Sequence, residues 1–207
     1  MATSTGTVIW ADAQEEWFRA VNHLARATPW LHTPARLYAA YGVGVFAALL
    51  LASWWWARRE GDLRQVTAAL WAPVGALLAL GVNQLLVAAF AEPRPYDVLP
   101  HALTLTARST DPSFPSDHAV MAGAVAAGIL LAHRRLGLVT AALALAMAFA
   151  RVYIGAHFPL DVVVGLLVGA TVSVACYLVA RRVGVRLVEL LAGTPARPLL
   201  TAAPRAV

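Results

Sequence analysis

Three short polar stretches interrupt an otherwise apolar chain, and their residue types suit the handling of phosphate. The first is Ser113-Phe114-Pro115-Ser116-Asp117-His118, which leads at once into the apolar run 119–132. A Ser or Asp beside the first residues of such a run marks a helix start, because its side-chain oxygen accepts a free backbone N–H. The first turn also presents unpaired N–H groups and the positive end of the helix dipole, a seat for an anion. Ser116 brings a hydroxyl to that seat and His118 a titratable imidazole, although a capped helix start with an incidental histidine reads the same way. The second stretch is Pro93-Arg94-Pro95-Tyr96, and the third runs from Arg151-Val152-Tyr153 through His157 to Asp161. A planar guanidinium grips two phosphate oxygens at once, which makes Arg94 and Arg151 candidate phosphate ligands. His157 and Asp161 are four apart across a helix start. The carboxylate could therefore accept the imidazole N–H, fix one tautomer and stabilise the cation. Alone, each stretch is weak, since interfacial arginines commonly anchor lipid headgroups. Together they supply six candidates: Arg94, Ser116, His118, Arg151, His157 and Asp161.

The elements that must position them are membrane helices. Hydrophobic residues make up 60% of the 207, and a mean hydropathy of +0.66 is too high for an ordinary soluble fold. The charge-free segment 37–57 has twenty-one residues, which at about 1.5 Å each cover a bilayer core. Trp54, Trp55 and Trp56 close it in the manner of an interfacial aromatic belt. A second span is predicted over 66–91, with the amides Asn83 and Gln84 inside it; buried polar groups there need partners. The runs 119–132 and 136–150 are short for spans, and the reading extends them with His118 and Arg151 at one end and His133, Arg134 and Arg135 at the other. The fifth span is 159–180, with Pro159 at a favourable first-turn position. Ala119/Gly123/Ala127 and Gly165/Gly169 offer small residues at a spacing of four for close helix contact.

Residues 8–27 place Ile9, Trp10, Ala13, Trp17, Val21 and Leu24 on one stripe, with Asp12, Glu15, Glu16, Arg19, Asn22 and Arg26 opposite. That is an amphipathic helix suited to a membrane interface. The expected fold is thus an all-α membrane protein, a single domain of about five transmembrane helices with an N-terminal interfacial segment (1–36). A cytoplasmic tail follows (183–207), amphipathic at first and then Ala/Pro-rich and disordered. No cleavable signal peptide is evident, and the single Cys176 permits no intramolecular disulfide. Ten arginines (58, 59, 64, 134, 135, 181, 182, 186, 197 and 205) fall in the first loop, the third loop and the tail. The positive-inside rule puts that side in the cytoplasm and the three polar stretches outside. The net charge of +5 therefore speaks of topology, and no nucleic-acid partner is expected.

The ordered set Arg94-Pro95, Pro115-Ser116-x-His118 and Arg151 with His157 and Asp161 resembles the type 2 phosphatidic acid phosphatase superfamily of lipid phosphate phosphatases. More closely, Asn83-Gln84, Pro93-Arg94-Pro95, Ser113 to His118 and Arg151-Val152-Tyr153 are similar to its bacitracin-resistance branch of undecaprenyl-diphosphate phosphatases. The resemblance implies metal-independent hydrolysis through a phosphohistidine, without cofactor. His157 would be the nucleophile, Asp161 its support and His118 the general acid and base. Arg94, Ser116 and Arg151 would bind phosphate, and Asp117, Asn83 and Gln84 would be accessory. No carboxylate or His/Cys cluster has metal-ligand spacing.

Two positions depart from the general pattern: Val87 stands where it has Lys, and Asp117 where it has Gly. Similar departures in the bacitracin branch favour a polyprenyl diphosphate as substrate, bound from the plasma membrane on its extracytoplasmic side, with recycling of the cell-wall lipid carrier and bacitracin resistance as the outcome. The alternatives are another lipid phosphate, such as phosphatidylglycerol phosphate or a decaprenyl-phosphoryl sugar phosphate, and a non-catalytic lipid-binding or export protein. His101 and Arg108 are minor candidates for diphosphate contact, whereas His23, His32 and His133 read as structural. Prenyl chain length and oligomeric state are not legible in these residues.

Overall fold

The computed structural model describes residues 5–202, with side chains from residue 12 onward. The apolar run after His118 becomes α5 (Asp117–Ala132), the middle of a helical bundle. A helix with no polar face must be buried on every side. Accordingly Ala119, Val120, Ala122, Ala124, Val125 and Ile129 are all sealed from solvent. Around it stand α2 (His32–Glu60), α3 (Leu63–Phe90), α6 (Arg134–Tyr153) and α7 (Pro159–Ala192). These four are long and apolar enough to cross a membrane, whereas α5 is shorter. Its 16 residues reach about 24 Å, short of a bilayer core. The expected extensions are present: α5 takes in His118, α6 takes in Arg134, Arg135 and Arg151, and His133 joins the two helices. Exposed Leu51, Leu77, Leu85, Leu145, Leu167 and Val179 give the bundle an apolar outer surface. No strand occurs among the described residues, and the protein is an all-α, multi-pass membrane bundle.

Small residues set the spacing of the central helices. A Cβ on Gly169 would collide with the carbonyl of Val120, and one on Gly123 with the backbone of Leu166. Gly165 lies so close to α5 that its Cβ would stand 2.9 Å from that of Ala119. The stripes seen in the sequence are therefore the α5–α7 seam, which holds the two helix starts in register. Gly128 serves the other side, pressed against Ala72 of α3.

Several boundaries differ from the sequence reading. α2 begins at His32, five residues before the expected span, because Pro34 falls in its first turn, where no N–H is needed. The N-terminal helix α1 (Thr5–Ala27) ends before Pro29 as expected, but it lies on the bundle with a neighbouring face. Phe18 and Ala25 are buried, while Trp17 and Leu24 of the predicted stripe remain exposed; Ile9 and Trp10 lie outside the described side chains. Asn22, assigned to the polar face, is buried and clamps the Leu103 backbone, donating to its carbonyl at 2.8 Å and accepting its N–H at 3.0 Å. The tail is also more ordered than its composition suggests. α7 runs on to Ala192, a short α8 (Arg197–Leu200) follows, and Trp54 Nε1–H and Ala202 N–H donate to the carbonyls of Leu199 and Arg58. Backbone pairing and the burial of Leu200 hold this segment. The residues after 202 lie outside the described part.

Candidate active site

The site lies at the end of the bundle where α5 and α7 start and α3 and α6 finish. Each polar stretch is folded by local chemistry. Between α6 and α7 the chain turns through Gly155, at φ +76. A side chain there would strain the backbone and meet the carbonyl of Leu103. Pro159 then starts α7, and the Asp161 carboxylate reaches back to accept the Phe158 N–H at 2.8 Å. This turn presents His157, which is almost wholly buried.

The two ring nitrogens of His157 see opposite surroundings. Nδ1 lies 2.9 Å from the Ser113 carbonyl and 3.4 Å from Asp161 Oδ2, both obligate acceptors, so Nδ1 carries the proton. Nε2 lies 3.3 Å from Arg94 Nη1 and 3.2 Å from Arg151 Nη2, both donors, so its lone pair faces them. Burial pushes the imidazole below its usual range, Arg151 and Arg94 add to that, and the hydrogen bond and charge of Asp161 oppose it. Ser113 Oγ–H donates to Asp161 Oδ2, which completes the support behind the ring. The sequence reading missed Ser113. Three residues ahead of Ser116 in a loop, its direction had no periodicity to reveal it.

Arg94 is fixed by backbone carbonyls, donating from Nε to Asp111 at 2.8 Å and from Nη1 to Ala156 at 3.1 Å. Pro95 starts α4 (Pro95–Val98), a single turn whose N-cap is Arg94. Arg151 comes from the last turn of α6, and its buried Nε has no partner. Nearby, the Glu92 carbonyl accepts the Ser113 N–H at 2.8 Å.

Ser116 takes the N-cap position of α5, and its N–H donates to the Asp161 carbonyl at 3.1 Å, tying the two helix starts together. Its side chain makes no cap bond, contrary to the capping expectation, and the buried hydroxyl has no partner. The amide nitrogens of the pair predicted to need partners have them: Asn83 Nδ2 and Gln84 Nε2 donate to Asp117 Oδ1 at 2.7 and 3.1 Å, while the buried Asn83 Oδ1 has none among the described residues. Asn83 also donates to the Pro115 carbonyl at 3.2 Å.

Arg94, Asp117, His118, Arg151 and His157 line one cavity of about 550 Å³, together with Gln84 and Val87. The two positions that depart from the family pattern, Val87 and Asp117, thus face the same space. Asp161, Ser113 and Asn83 are buried behind this wall, with Ser116. His101 and Arg108 are not brought in. His101 lines a separate cleft beside Arg26, and Arg108 lies 5.5 Å from the centre of the Tyr96 ring. His32 and His133 face the carbonyls of Ala25 and Ser53. An adjoining groove of about 410 Å³, walled by Val43, Leu80, Gly81 and Met121, meets the cavity at Gln84, Asp117 and His118.

The chain has relatives that fit this arrangement. It is 29% identical to undecaprenyl-diphosphatase BcrC of Bacillus subtilis, over 76% of this chain and 79% of that protein. It is equally similar, at 29% over 73% of each chain, to the bacitracin transport permease protein BcrC of Bacillus licheniformis. Among solved structures, Aquifex aeolicus LpxE superposes with a TM-score of 0.58 at 26% identity, over 78% of this chain and 92% of that one. Residues 68–184, more than half of the 207, match the PAP2 superfamily, and the chain belongs to that family of membrane phosphatases.

Proposed function

We propose that the protein hydrolyses a polyprenyl diphosphate, undecaprenyl diphosphate in the first instance, to the monophosphate through a phosphohistidine at His157. One observation carries this reading: Nδ1–H of His157 is held by the Ser113 carbonyl, and the Nε2 lone pair points between the Arg94 and Arg151 guanidiniums. A neutral imidazole in that tautomer is a nucleophile already aimed at the place where two forks would hold a phosphoryl group. The names of the relatives favour a diphosphate.

In the first step Nε2 attacks the terminal phosphorus and the bond to the bridging oxygen breaks. Its electron pair leaves with the prenyl phosphate, which takes a proton from His118. Arg94, Arg151 and first-turn amides of α5 stabilise the equatorial oxygens, with Ser116 behind them at the N-cap of that helix. In the second step neutral His118 takes a proton from water, the resulting hydroxide attacks the phosphohistidine, and the P–N electron pair returns to Nε2. The groove walled by Val43, Leu80, Gly81 and Met121 takes the first isoprene units, because it opens from the phosphate cavity between α2, α3 and α5. The arginine-rich helix ends lie opposite the site, and the positive-inside rule supports a cytoplasmic side for them and an extracytoplasmic side for the chemistry. Recycling of the lipid carrier there would lower sensitivity to bacitracin.

Hydrolysis of undecaprenyl diphosphate in detergent with EDTA present, compared with phosphatidylglycerol phosphate and a prenyl-phosphoryl sugar phosphate, tests the substrate. His157→Ala should remain in the membrane, release no phosphate and form no acid-labile phosphoenzyme. The name of the Bacillus licheniformis relative supports a second reading, lipid or antibiotic export. Full bacitracin resistance in cells carrying His157→Ala would establish export and refute hydrolysis.

A further inference from the structure

A second cavity, of about 340 Å³, lies beside the first, between the start of α2 and the segment 105–107. Thr106, Ala107 and Arg151 belong to both walls. Its other polar lining is Thr33, Arg36 and Tyr41, and no carboxylate borders it. Arg36 has no hydrogen-bond or ion-pair partner among the described residues. Arg151 is engaged at Nη2 by His157 Nε2, 3.2 Å away, but its buried Nε–H has no acceptor. A small space with two guanidiniums, three hydroxyls and no countercharge is completed by an anion. Buried donors left unpaired are costly, and like charges beside a low-dielectric core repel.

We propose that this cavity is a second anion site, in which the guanidiniums of Arg36 and Arg151 hold a phosphate-class anion beside the reacting phosphoryl group. The hydroxyls of Thr33, Tyr41 and Thr106 supply further donors around it. The anion has two sources: inorganic phosphate leaving the phosphoenzyme, or the headgroup phosphate of a bilayer lipid at the mouth beside α2. The site meets the catalytic cavity at Arg151, whereas the apolar groove meets it at Gln84, Asp117 and His118. Lipid and phosphate therefore have separate ways out.

Arg36→Gln tests this, since the side chain is exposed and holds no other part of the fold. In neutral detergent, the inhibition constant of inorganic phosphate should rise about five-fold or more, with KM for the lipid substrate within about two-fold, as the loss of one charged contact implies. In nanodiscs, the rate in phosphatidylcholine is compared with that in phosphatidylcholine containing phosphatidylglycerol. A wild-type difference of about three-fold that disappears in Arg36→Gln supports the site with a headgroup as its occupant. The first result supports free phosphate as occupant. If phosphate inhibits both proteins equally and both respond alike to phosphatidylglycerol, the proposal is overturned. The inference rests on the phosphatase reading, but the assay uses whichever lipid phosphate the wild type turns over. An unexpected substrate would refute the prenyl diphosphate and leave this test intact.

Discussion

Nδ1 of His157 lies nearer the carbonyl oxygen of Ser113, at 2.9 Å, than the Asp161 carboxylate, at 3.4 Å. The backbone therefore fixes the tautomer, and the carboxylate acts as a charge behind it, held by Ser113 Oγ–H and Phe158 N–H. This differs from the expectation that Asp161 would do both. A carbonyl survives side-chain substitution, so the two tasks can be separated by experiment.

Asp161→Asn should keep the nucleophilic tautomer and lose the countercharge that stabilises the imidazolium character of the first step. We expect kcat for phosphoenzyme formation to fall about 10- to 100-fold, well short of the loss in His157→Ala. The pH profile gives an independent sign. His157 is active when neutral, burial and the two arginines lower its pKa, and Asp161 raises it. Removing the carboxylate should therefore move the acid limb of kcat/KM to still lower pH. A single-turnover pH series checks this, and an acid limb that rises instead would show that Asp161 does not face the titrating group.

Gly81 offers a clean test of the lipid groove, because a Cβ built there meets nothing within 4 Å. Gly81→Leu should fill the groove without disturbing the bundle, and leucine is also the better helix former. We expect KM for undecaprenyl and farnesyl diphosphates to rise about ten-fold, while a diphosphate with a single isoprene unit is hydrolysed as before, the lost apolar contact being roughly 1–3 kcal/mol. Equal effects on long and short chains would place the lipid elsewhere.

Most of the helices were legible because a long charge-free run in a chain this apolar has few other readings, and the fold follows from the α5–α7 glycine seam. The gathering of Arg94, His118, Arg151 and His157 was legible from their common side of the predicted topology. Ser113 and Asn22 were not, because each acts across a loop: Asn22 bonds Leu103, and Ser113 bonds His157 and Asp161. Ser113 sits in a loop with no period to say which way it faces, and Asn22, on α1, reads as solvent-facing because its partner lies 81 residues away. Asp117 was legible as a departure from a pattern, but its pairing with Asn83 and Gln84 needed the crossing of α3 and α5.

Orientation in the membrane is a separate prediction. In a Cys176→Ala background, Thr110→Cys sits in the exposed loop beside the site, and Glu60→Cys at the opposite end of the bundle. An impermeant thiol reagent added to intact cells should label the first and spare the second until the cells are broken. The reverse pattern would move the chemistry to the cytoplasm.

The last prediction concerns His118 and separates a diphosphate from a monophosphate substrate. From a prenyl diphosphate the leaving group is a phosphate monoester, whose second pKa is about 6. It departs as a stable anion and gains little from an acid. A lipid monophosphate expels an alkoxide instead, whose conjugate acid is about as weak as water. Protonation by His118, which lines the cavity beside Arg151 and His157, is then nearly indispensable. His118→Ala should therefore damage monophosphate hydrolysis far more than phosphoenzyme formation from diphosphate. Attack of water on the phosphohistidine still needs a base, and the same imidazole supplies it. The variant should accordingly give a burst of one prenyl monophosphate per enzyme, with the phosphohistidine retained, and then stall. Rapid-quench measurement of the burst and of the acid-labile phosphate decides the matter. If the burst is missing and both substrates lose activity equally, His118 is not the proton donor and base for this reaction.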